Sequence, residues 1–181
     1  MPTTYINFHA PINGKTAQNM MAAISQRLTS GTDHFYILFS TPGGEVASGI
    51  TLYNFLRALP VNVTMHNMGN VDSIGNSIFA AGGERFCCQH STFMFHGVGL
   101  PINGNVEEKA AREVLQGILA DQNRIGSILV DRTNITTDQA GEFFREARTI
   151  DAASALDLGI VSEVKDAVVP LHSDIISLVL T

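Results

Sequence analysis

The segment His34-Phe-Tyr-Ile-Leu-Phe-Ser-Thr-Pro-Gly-Gly44 carries the strongest signal for the fold. Residues 34–40 form an apolar, aromatic run with the length of one buried strand, and Pro42-Gly43-Gly44 ends that run with a turn. From Val46 to Leu59, apolar residues recur at the spacing of one helix face. A strand, a glycine turn and a helix in succession are typical of α/β proteins with a largely parallel sheet.

The same alternation continues along the chain and predicts an α/β domain whose helices cover the faces of the sheet. The helix predicted over Val106–Val130 is long enough to project from the body of the domain. The other predicted strands cover 5–8, 61–68, 85–88, 92–95 and 161–164, and the other helices 15–28, 137–146 and 151–158, with one more starting near Ser73.

Size and charge limit the classes of function. With 181 residues, 45% of them hydrophobic and 15% charged, the chain 1–181 is expected to form a single domain. The net charge is -6 and the only lysines are Lys15, Lys109 and Lys165, so no basic patch is available for nucleic acid. No segment approaches the roughly 20 apolar residues of a membrane span, and the first residues do not resemble a secretion signal.

The two cysteines, Cys87 and Cys88, are neighbours, so they form neither a disulfide framework nor a zinc-binding spacing. A reducing, cytoplasmic location is therefore expected. No two histidines have the spacing of metal ligands, and we expect no metal and no cofactor.

Three features at strand ends together suggest acyl transfer. Ser73 lies where a strand gives way to a helix, beside N–H groups that a first helical turn leaves unpaired. Gly44 ends a second such loop, and His96 follows the strand 92–95 with an imidazole that can take and return a proton. Alone, each has a commoner explanation: a helix cap at Ser73 or Asp72, a simple turn, and a structural histidine. Acyl transfer needs a nucleophile, a base and oxyanion donors together, so their combination favours this chemistry.

In this order the motifs resemble those of the Clp protease proteolytic subunit family, ClpP, within the wider ClpP and crotonase superfamily. Ser40-Thr-Pro-Gly-Gly44 is similar to the family's Asn-Ser-Pro-Gly-Gly turn, and Gly69-Asn-Val-Asp-Ser-Ile-Gly75 to its Gly-x-Ala-Ala-Ser-Met-Gly motif. The resemblance runs from about Tyr5 to about Val164, the core of the domain. Its further matching segments are Ala80–Arg85, Ser91–His96 and Ala152–Val161.

The resemblance implies a ClpP/crotonase-like fold of repeated ββα units with a projecting long helix. It also implies a serine peptidase in which His96 deprotonates Ser73, an acyl-enzyme forms, and water releases it. The N–H groups of Gly44 and Ile74 would hold the oxyanion. Peptides or unfolded proteins would be the substrates.

The third member of the family's triad is not fixed by the sequence. Counting back from Gly159 places the family's aspartate on Ala147, so the acid that should orient His96 is missing there. A nucleophile, a base and an oxyanion hole keep some activity without that acid. Asp72 also replaces a small residue of the family, and its carboxylate would either oppose the oxyanion or cap the helix. The acids near Ala147 in the chain that could take the third place are Glu146, Asp151, Asp131 and Glu142.

Three other functions compete with the peptidase. A catalytically silent structural or assembly subunit is favoured by Ala147 and Asp72, but the presence of Ser73 and His96 speaks against it. A serine–lysine peptidase would use Lys109 as base, although that lysine lies among charged residues of a helix surface. A crotonase-type acyl-CoA enzyme lacks a recognisable adenine or phosphate site.

The helix Val106–Val130 and the low charge suggest self-association, and the resemblance implies homo-oligomeric rings stacked through such helices. The chain begins near the family's first core strand, without the family's pore-lining segment, so an unfoldase ATPase partner is doubtful. Residues 165–181 form a C-terminal extension without a clear counterpart in the family. Its apolar part, Ile175–Leu180, is expected to pack on a neighbouring subunit.

Overall fold

A computed structural model of the protein describes residues 2–101 and 104–179. Strands and helices alternate along most of this length, as the sequence predicts. The elements are β1 (Thr3–His9), α1 (Gly14–Thr29), β2 (His34–Thr41), α2 (Val46–Ala58), β3 (Asn62–Asp72), α3 (Gly75–Phe79), β4 (Glu84–Cys87), β5 (Thr92–Phe95), α4 (Glu108–Arg132), α5 (Thr137–Glu146), β6 (Arg148–Asp151), α6 (Ala152–Asp157), β7 (Glu163–Val164) and β8 (Asp174–Val179).

The strands of the described residues belong to one eight-stranded sheet. Its main path runs β6-β5-β3-β2-β1-β8, and β4 joins it by pairing with β3 and β7. All pairs are parallel except the antiparallel pair of β5 and β6. The parallel strands therefore end at the same edge, where the loops after β2, β3 and β5 lie near one another.

Alternate side chains of the strands build the hydrophobic core because successive residues of a strand point to opposite faces. Phe8 of β1 and Phe39 of β2 are buried and stacked, with ring centroids 5.3 Å apart. The helices add apolar residues from one side of each helix, such as Met20 and Ile24 of α1 and Leu52 of α2. This core fixes the register of the central strands and so the position of their ends.

A buried polar chain lies among the sheet residues that do not face this core. The hydroxyl of Tyr36 lies 2.7 Å from Nδ1 of His66, whose Nε2 lies 3.1 Å from the carbonyl oxygen of Lys165. Since that carbonyl can only accept, Nε2 carries the proton and Nδ1 accepts from Tyr36. Burial lowers the pKa of His66 and raises the pKa of Tyr36 to about 12. His66 therefore has a structural role as a neutral imidazole.

Helix α4 is the long helix that the sequence predicts, displaced by two residues at each end. Its 25 residues correspond to about 37 Å. Only Ile125 and Leu129, in its second half, are buried, whereas Leu115 and Leu119 in the first half are 55% and 50% exposed. The first half thus extends beyond the core.

Two strands, β6 and β8, are not predicted from the sequence. One of them lies in the extension 165–181, where residues 174–179 form β8, parallel to β1 in the chain's own sheet. The packing of this extension on a neighbouring subunit stays a prediction. The side chain of Arg27 holds β8 through Asp174, with 2.7 Å between Nε and Oδ2. The β-branched run of this segment suits an edge strand, which explains the difference. Residues 180–181 lie outside the described residues.

No helix within residues 2–101 and 104–179 has both the length and the apolar character needed to cross a membrane.

Candidate active site

Ser73 and His96 follow two adjacent parallel strands, β3 and β5. Asp72, the last residue of β3, is in register with Met94 of β5. The N–H of Ser73 donates to the carbonyl oxygen of Met94 at 2.7 Å and so extends the ladder by one bond. Ser73 and His96 are therefore brought to the same end of neighbouring strands, as expected for a shared site.

The backbone of Ser73 has φ = 56°, in the left-handed region that residues other than glycine seldom adopt. The loop after β2 packs directly against it. A Cβ added to Gly43 would lie 2.7 Å from Cβ of Ser73 and 2.8 Å from the carbonyl oxygen of Asp72. Only glycine at position 43 therefore allows the two loops to approach this closely.

The backbone N–H groups of Gly44 and Ile74, both near Ser73, have no acceptor among the described residues. The path of Gly44 is fixed by Ile12, which donates to the Gly43 carbonyl oxygen and accepts from the N–H of Glu45, both at 2.8 Å. A side chain at Gly44 would collide with the carbonyl oxygen of Ile12. The N–H of Gly44 is thus left free by a conformation that glycine alone permits.

Neither Ser73 nor Asp72 caps the helix that follows, so the cap interpretation of these residues is wrong. Helix α3 starts only at Gly75, its N-cap position is Ile74, and no side-chain cap is present. The carboxylate of Asp72 instead accepts from Nδ2 of Asn70 at 2.6 Å. The positive φ of Ser73 takes the chain out of the extended conformation that a capping residue needs.

His96 is exposed to solvent, and within the described residues no hydrogen bond joins its imidazole to Oγ of Ser73. The next residue, Gly97, lies close to the backbone of α5. A Cβ added to Gly97 would lie 2.8 Å from the carbonyl oxygen of Phe144. Hydrogen bonds between a catalytic base and its nucleophile are often long or poorly aligned before substrate binds.

The ladder of β5 and β6 indicates where an orienting acid would have to lie. Its last pair is Phe95 with Arg148, and the next residues along the two strands are His96 and Ala147. Position 147, to which the sequence count assigned the family's aspartate, thus adjoins the last pair of the ladder on the strand next to that of His96. Ala147 also has a positive φ of 54°.

Two of the acidic residues proposed as the third member of the triad, Asp151 and Glu146, either interact with other groups or are exposed. Asp151 pairs with Thr92, four residues before His96, and its carboxylate caps α6 by accepting from the N–H of Ser154 at 2.8 Å. Hydrogen bonds from Ser154 lower the pKa of Asp151. Glu146 is exposed at the end of α5.

Asp131, near the end of α4, is exposed and lines a groove of ≈ 430 Å³ between α4 and α5, while Glu142 lies half-buried on α5. Among the residues that the structure describes, no acid forms a hydrogen bond with His96. The geometry therefore does not identify a third member of the triad.

The family is decided by comparison with known proteins. A model described as "Clp protease" matches residues 2–168. The chain belongs to the Clp protease family. It is 23% identical over 162 residues to the ATP-dependent Clp protease proteolytic subunit of Streptococcus suis, covering 86% of this chain and 83% of that one.

Two further relatives support the family and the fold. Over 130 residues the chain is 24% identical to ATP-dependent Clp protease proteolytic subunit 2 of Corynebacterium glutamicum, covering 71% of this chain but only 64% of the relative. A solved mutant of ClpP1 from Listeria monocytogenes superposes with a TM-score of 0.80 at 20% identity, covering 90% and 91% of the two chains. The predicted α/β, ClpP/crotonase-like fold is therefore confirmed.

The lysine required by a serine–lysine mechanism lies on the surface of α4. Lys109 is 88% exposed in its side chain and lies 3.9 Å from the carboxylate of Glu113, one turn along the helix. A lysine that serves as base is desolvated beside its nucleophile, and Lys109 is instead surrounded by solvent. This environment argues against Lys109 as the base for Ser73.

Two polar side chains that sequence reasoning missed, the buried Asn76 and the half-buried Arg85, support backbone segments of this Clp protease family member. Asn76 on α3 donates from Nδ2 to the carbonyl oxygens of Ser73 and Met94. Arg85 on β4 donates four hydrogen bonds to backbone carbonyl oxygens that follow α3 and α6 or end α4, those of Gly82, Gly159, Ile160 and Arg132. The only sequence signal for either was a polar residue within an otherwise apolar segment.

Proposed function

We propose that this member of the Clp protease family is a serine peptidase that cleaves peptide bonds through an acyl-enzyme. Ser73 is the nucleophile, His96 the general base, and the N–H groups of Gly44 and Ile74 form the oxyanion hole. The observation that carries the proposal is the strained backbone of Ser73 beside two N–H groups without acceptors. Strain at a serine between a strand and a helix is a feature of catalytic serines, because it exposes Oγ.

The reaction follows from these positions. His96 takes the proton of Ser73 as Oγ bonds to the substrate's carbonyl carbon, and the electron pair of the C=O bond moves to oxygen. The N–H groups of Gly44 and Ile74 donate to this oxyanion. When the C–N bond breaks, His96 returns the proton to the leaving amine, and water then repeats the sequence to release the acid.

The proposal is tested by labelling with a fluorophosphonate probe and by cleavage of a fluorogenic peptide. The native protein should react with the probe, and Ser73→Ala should abolish labelling and cleavage. Ser25→Ala, at an exposed serine of α1, is the matched control and should leave both unchanged. Absence of Ser73-dependent labelling would rule out the peptidase.

A catalytically silent assembly subunit is the second candidate. It is favoured by the lack of a hydrogen bond between Ser73 and His96 and by an alanine where an acid would face the imidazole. A protein that assembles normally but gives no Ser73-dependent labelling or cleavage would support this function instead.

We further propose that the chain forms homo-oligomeric rings that act on peptides or unfolded proteins, with contacts through the first half of α4. Leu115 and Leu119 lie four residues apart and both are exposed, so they form an apolar stripe on one side of that helix. Native mass spectrometry should find a multimer that Leu115→Glu with Leu119→Glu dissociates. Gln116→Glu, also exposed, is the control, and a native monomer at micromolar concentration would contradict the proposal.

We infer a cytoplasmic location and a mechanism without metal or cofactor. Cys87 and Cys88 are both free thiols, which suits a reducing compartment. The catalytic steps use only side chains and backbone groups of the chain. Dialysis against a chelator should therefore leave peptide cleavage unchanged, and no ATPase is required for cleavage of short peptides.

A further inference from the structure

We propose that Asn76 is a positioning residue that holds Ser73 against the strand leading to His96. This inference rests on the proposed peptidase function and adds to it a group that does not touch the substrate. The family motif quoted above ends at Gly75, so Asn76 lies just beyond the residues by which the sequence resembles the family.

The side-chain amide of Asn76 joins two segments of the site. Nδ2 donates to the carbonyl oxygen of Ser73 at 3.1 Å and to that of Met94 at 2.8 Å. The same Met94 oxygen accepts from the N–H of Ser73 at 2.7 Å. The N–H of Ser73 is thus bonded directly to the carbonyl oxygen of Met94, and the carbonyl oxygen of Ser73 is linked to the same Met94 oxygen through the amide of Asn76.

Met94, the residue to which Ser73 and Asn76 are bonded, lies two residues before His96. A displacement of Met94 relative to Ser73 would change the separation of the nucleophile and the base, because the strand continues directly into His96. The side chain of Asn76 is only 3% exposed, so water has little access to replace its two hydrogen bonds. Ser73 also holds a positive φ, which a weakened loop would tend to relax.

Stability alone does not explain an amide at this position. Oδ1 of Asn76 is buried and has no hydrogen-bond partner among the described residues. An unpaired buried carbonyl opposes folding, and a small apolar residue in α3 would avoid it. Both donated hydrogen bonds go to residues that place the proposed nucleophile and base.

Asn67 offers a matched control in the same pair of strands. It is fully buried, donates from Nδ2 to the carbonyl oxygen of Thr92 at 2.8 Å, and accepts from the N–H of Gly69 at 3.0 Å. It therefore joins β3 to β5 in the same chemical way, but at the end of β5 away from His96. Loss of Asn67 should cost stability without moving Ser73 relative to His96.

The experiment compares Asn76→Ala and Asn76→Asp with Asn67→Ala and Asn67→Asp in the full chain. Steady-state cleavage of a fluorogenic peptide gives kcat and KM, fluorophosphonate labelling gives the reactivity of Ser73, and thermal unfolding gives the stability. We expect the Asn76 variants to lose about 10- to 100-fold in kcat and in labelling rate, with KM changed by less than about twofold. The Asn67 variants should unfold at lower temperature and keep the native kcat.

Each outcome bears on a different claim. Native kcat in both Asn76 variants would overturn the positioning role, as would an equal loss of kcat in the Asn67 variants. Since Asn76→Asp keeps the volume of the side chain, failure of both Asn76 variants to fold, while the Asn67 variants fold, would show a purely structural residue and also overturn it. Cleavage that survives Ser73→Ala would instead reject the proposed function.

Discussion

Replacing Ala147 by aspartate should raise the rate of peptide cleavage. Position 147 follows the last pair of the β5–β6 ladder on one strand, and His96 follows it on the other. The neighbours of these two residues in the ladder, Phe95 and Arg148, are paired, and paired Cα atoms of antiparallel strands lie about 5 Å apart, so an aspartate at position 147 would start near the imidazole. The new carboxylate would then accept a hydrogen bond from His96 and stabilise the imidazolium that forms during the reaction.

The size of the gain can be estimated from what the acid supplies elsewhere. In well-studied serine proteases, loss of a correctly placed acid lowers kcat by about 10⁴. A newly introduced acid recovers part of this because its rotamer is not fixed by other groups, so we expect an increase of about 10- to 1,000-fold. Stability should change little, since the positive φ of Ala147 is tolerated better by aspartate than by alanine.

The assay is steady-state cleavage of a fluorogenic peptide, with fluorophosphonate labelling as a second measure of Ser73 reactivity. Ala147→Asn has the same shape without the charge and should give a much smaller gain. Ala147→Asp combined with Ser73→Ala should be inactive. A folded Ala147→Asp protein with native or lower kcat would refute the idea that position 147 serves His96.

Three other predictions concern the support of the site and the core. Gly43→Ala should lower the rate of probe labelling at Ser73 more than about 100-fold, because the added Cβ would lie 2.7 Å from Cβ of that serine. Gly31→Ala is the control and should keep the native labelling rate, since Gly31 also has a positive φ, of 95°, but has open space around it. Arg85→Met should lower the urea-measured free energy of unfolding by about 3 kcal/mol, since four hydrogen bonds to backbone carbonyl oxygens are lost, and a loss under about 1 kcal/mol would contradict this. Because burial holds the pKa of His66 below 6.5, the unfolded chain binds its proton more readily, so stability should fall as pH drops below 6.5. His66→Gln should remove this part of the pH dependence in urea titrations, and an unchanged slope would exclude His66 as its source.

The sequence predicts the central elements well where several signals agree. Helix α5 has the predicted bounds, Thr137–Glu146, because Thr136 and Gln139 form a capping box at its start. Strand β2 extends only one residue beyond the predicted 34–40, because an apolar run and a glycine turn define its ends. The apolar run from Ile37 to Phe39 reflects burial on both faces of the sheet.

The missed strands lack such signals. In β6 only Ile150 is buried, so the strand shows no alternation of apolar and polar residues. In β8 the apolar residues lie at an exposed edge, and its pairing with β1 joins segments about 170 residues apart. Pairing over that separation depends on the folded core and cannot be inferred from local composition.

The candidate site likewise has features that local sequence motifs indicate and features that depend on tertiary contacts. The order of the loops was enough to nominate Ser73, His96, Gly44 and Ile74, and their roles remain predictions. The hydrogen-bond partners of these loops depend on tertiary contacts, so no local pattern singles out Asn76. The direction of the Asp72 carboxylate likewise could be read only from coordinates.

Asp72 raised the concern that a carboxylate beside the nucleophile would oppose the oxyanion. Its Oδ2 is held 2.6 Å from Nδ2 of Asn70, two residues back along β3 and so on the same face of the strand. The same amide donates to the carbonyl oxygen of Thr41 at 3.2 Å, immediately before the turn that carries Gly44.

Two side-chain amides therefore join the three strand ends of the proposed site. Asn70 links the nucleophile's strand to the loop of Gly44, and Asn76 links the nucleophile to the strand of His96. In a triad, an acid orients the imidazole and so fixes its position relative to the serine. Within residues 2–101 and 104–179 no acid is hydrogen-bonded to His96, and the positions of the proposed nucleophile, base and oxyanion donors depend on backbone carbonyl groups held by amides. This arrangement can align the reacting groups but cannot stabilise the imidazolium, which is why a carboxylate at position 147 should increase the rate.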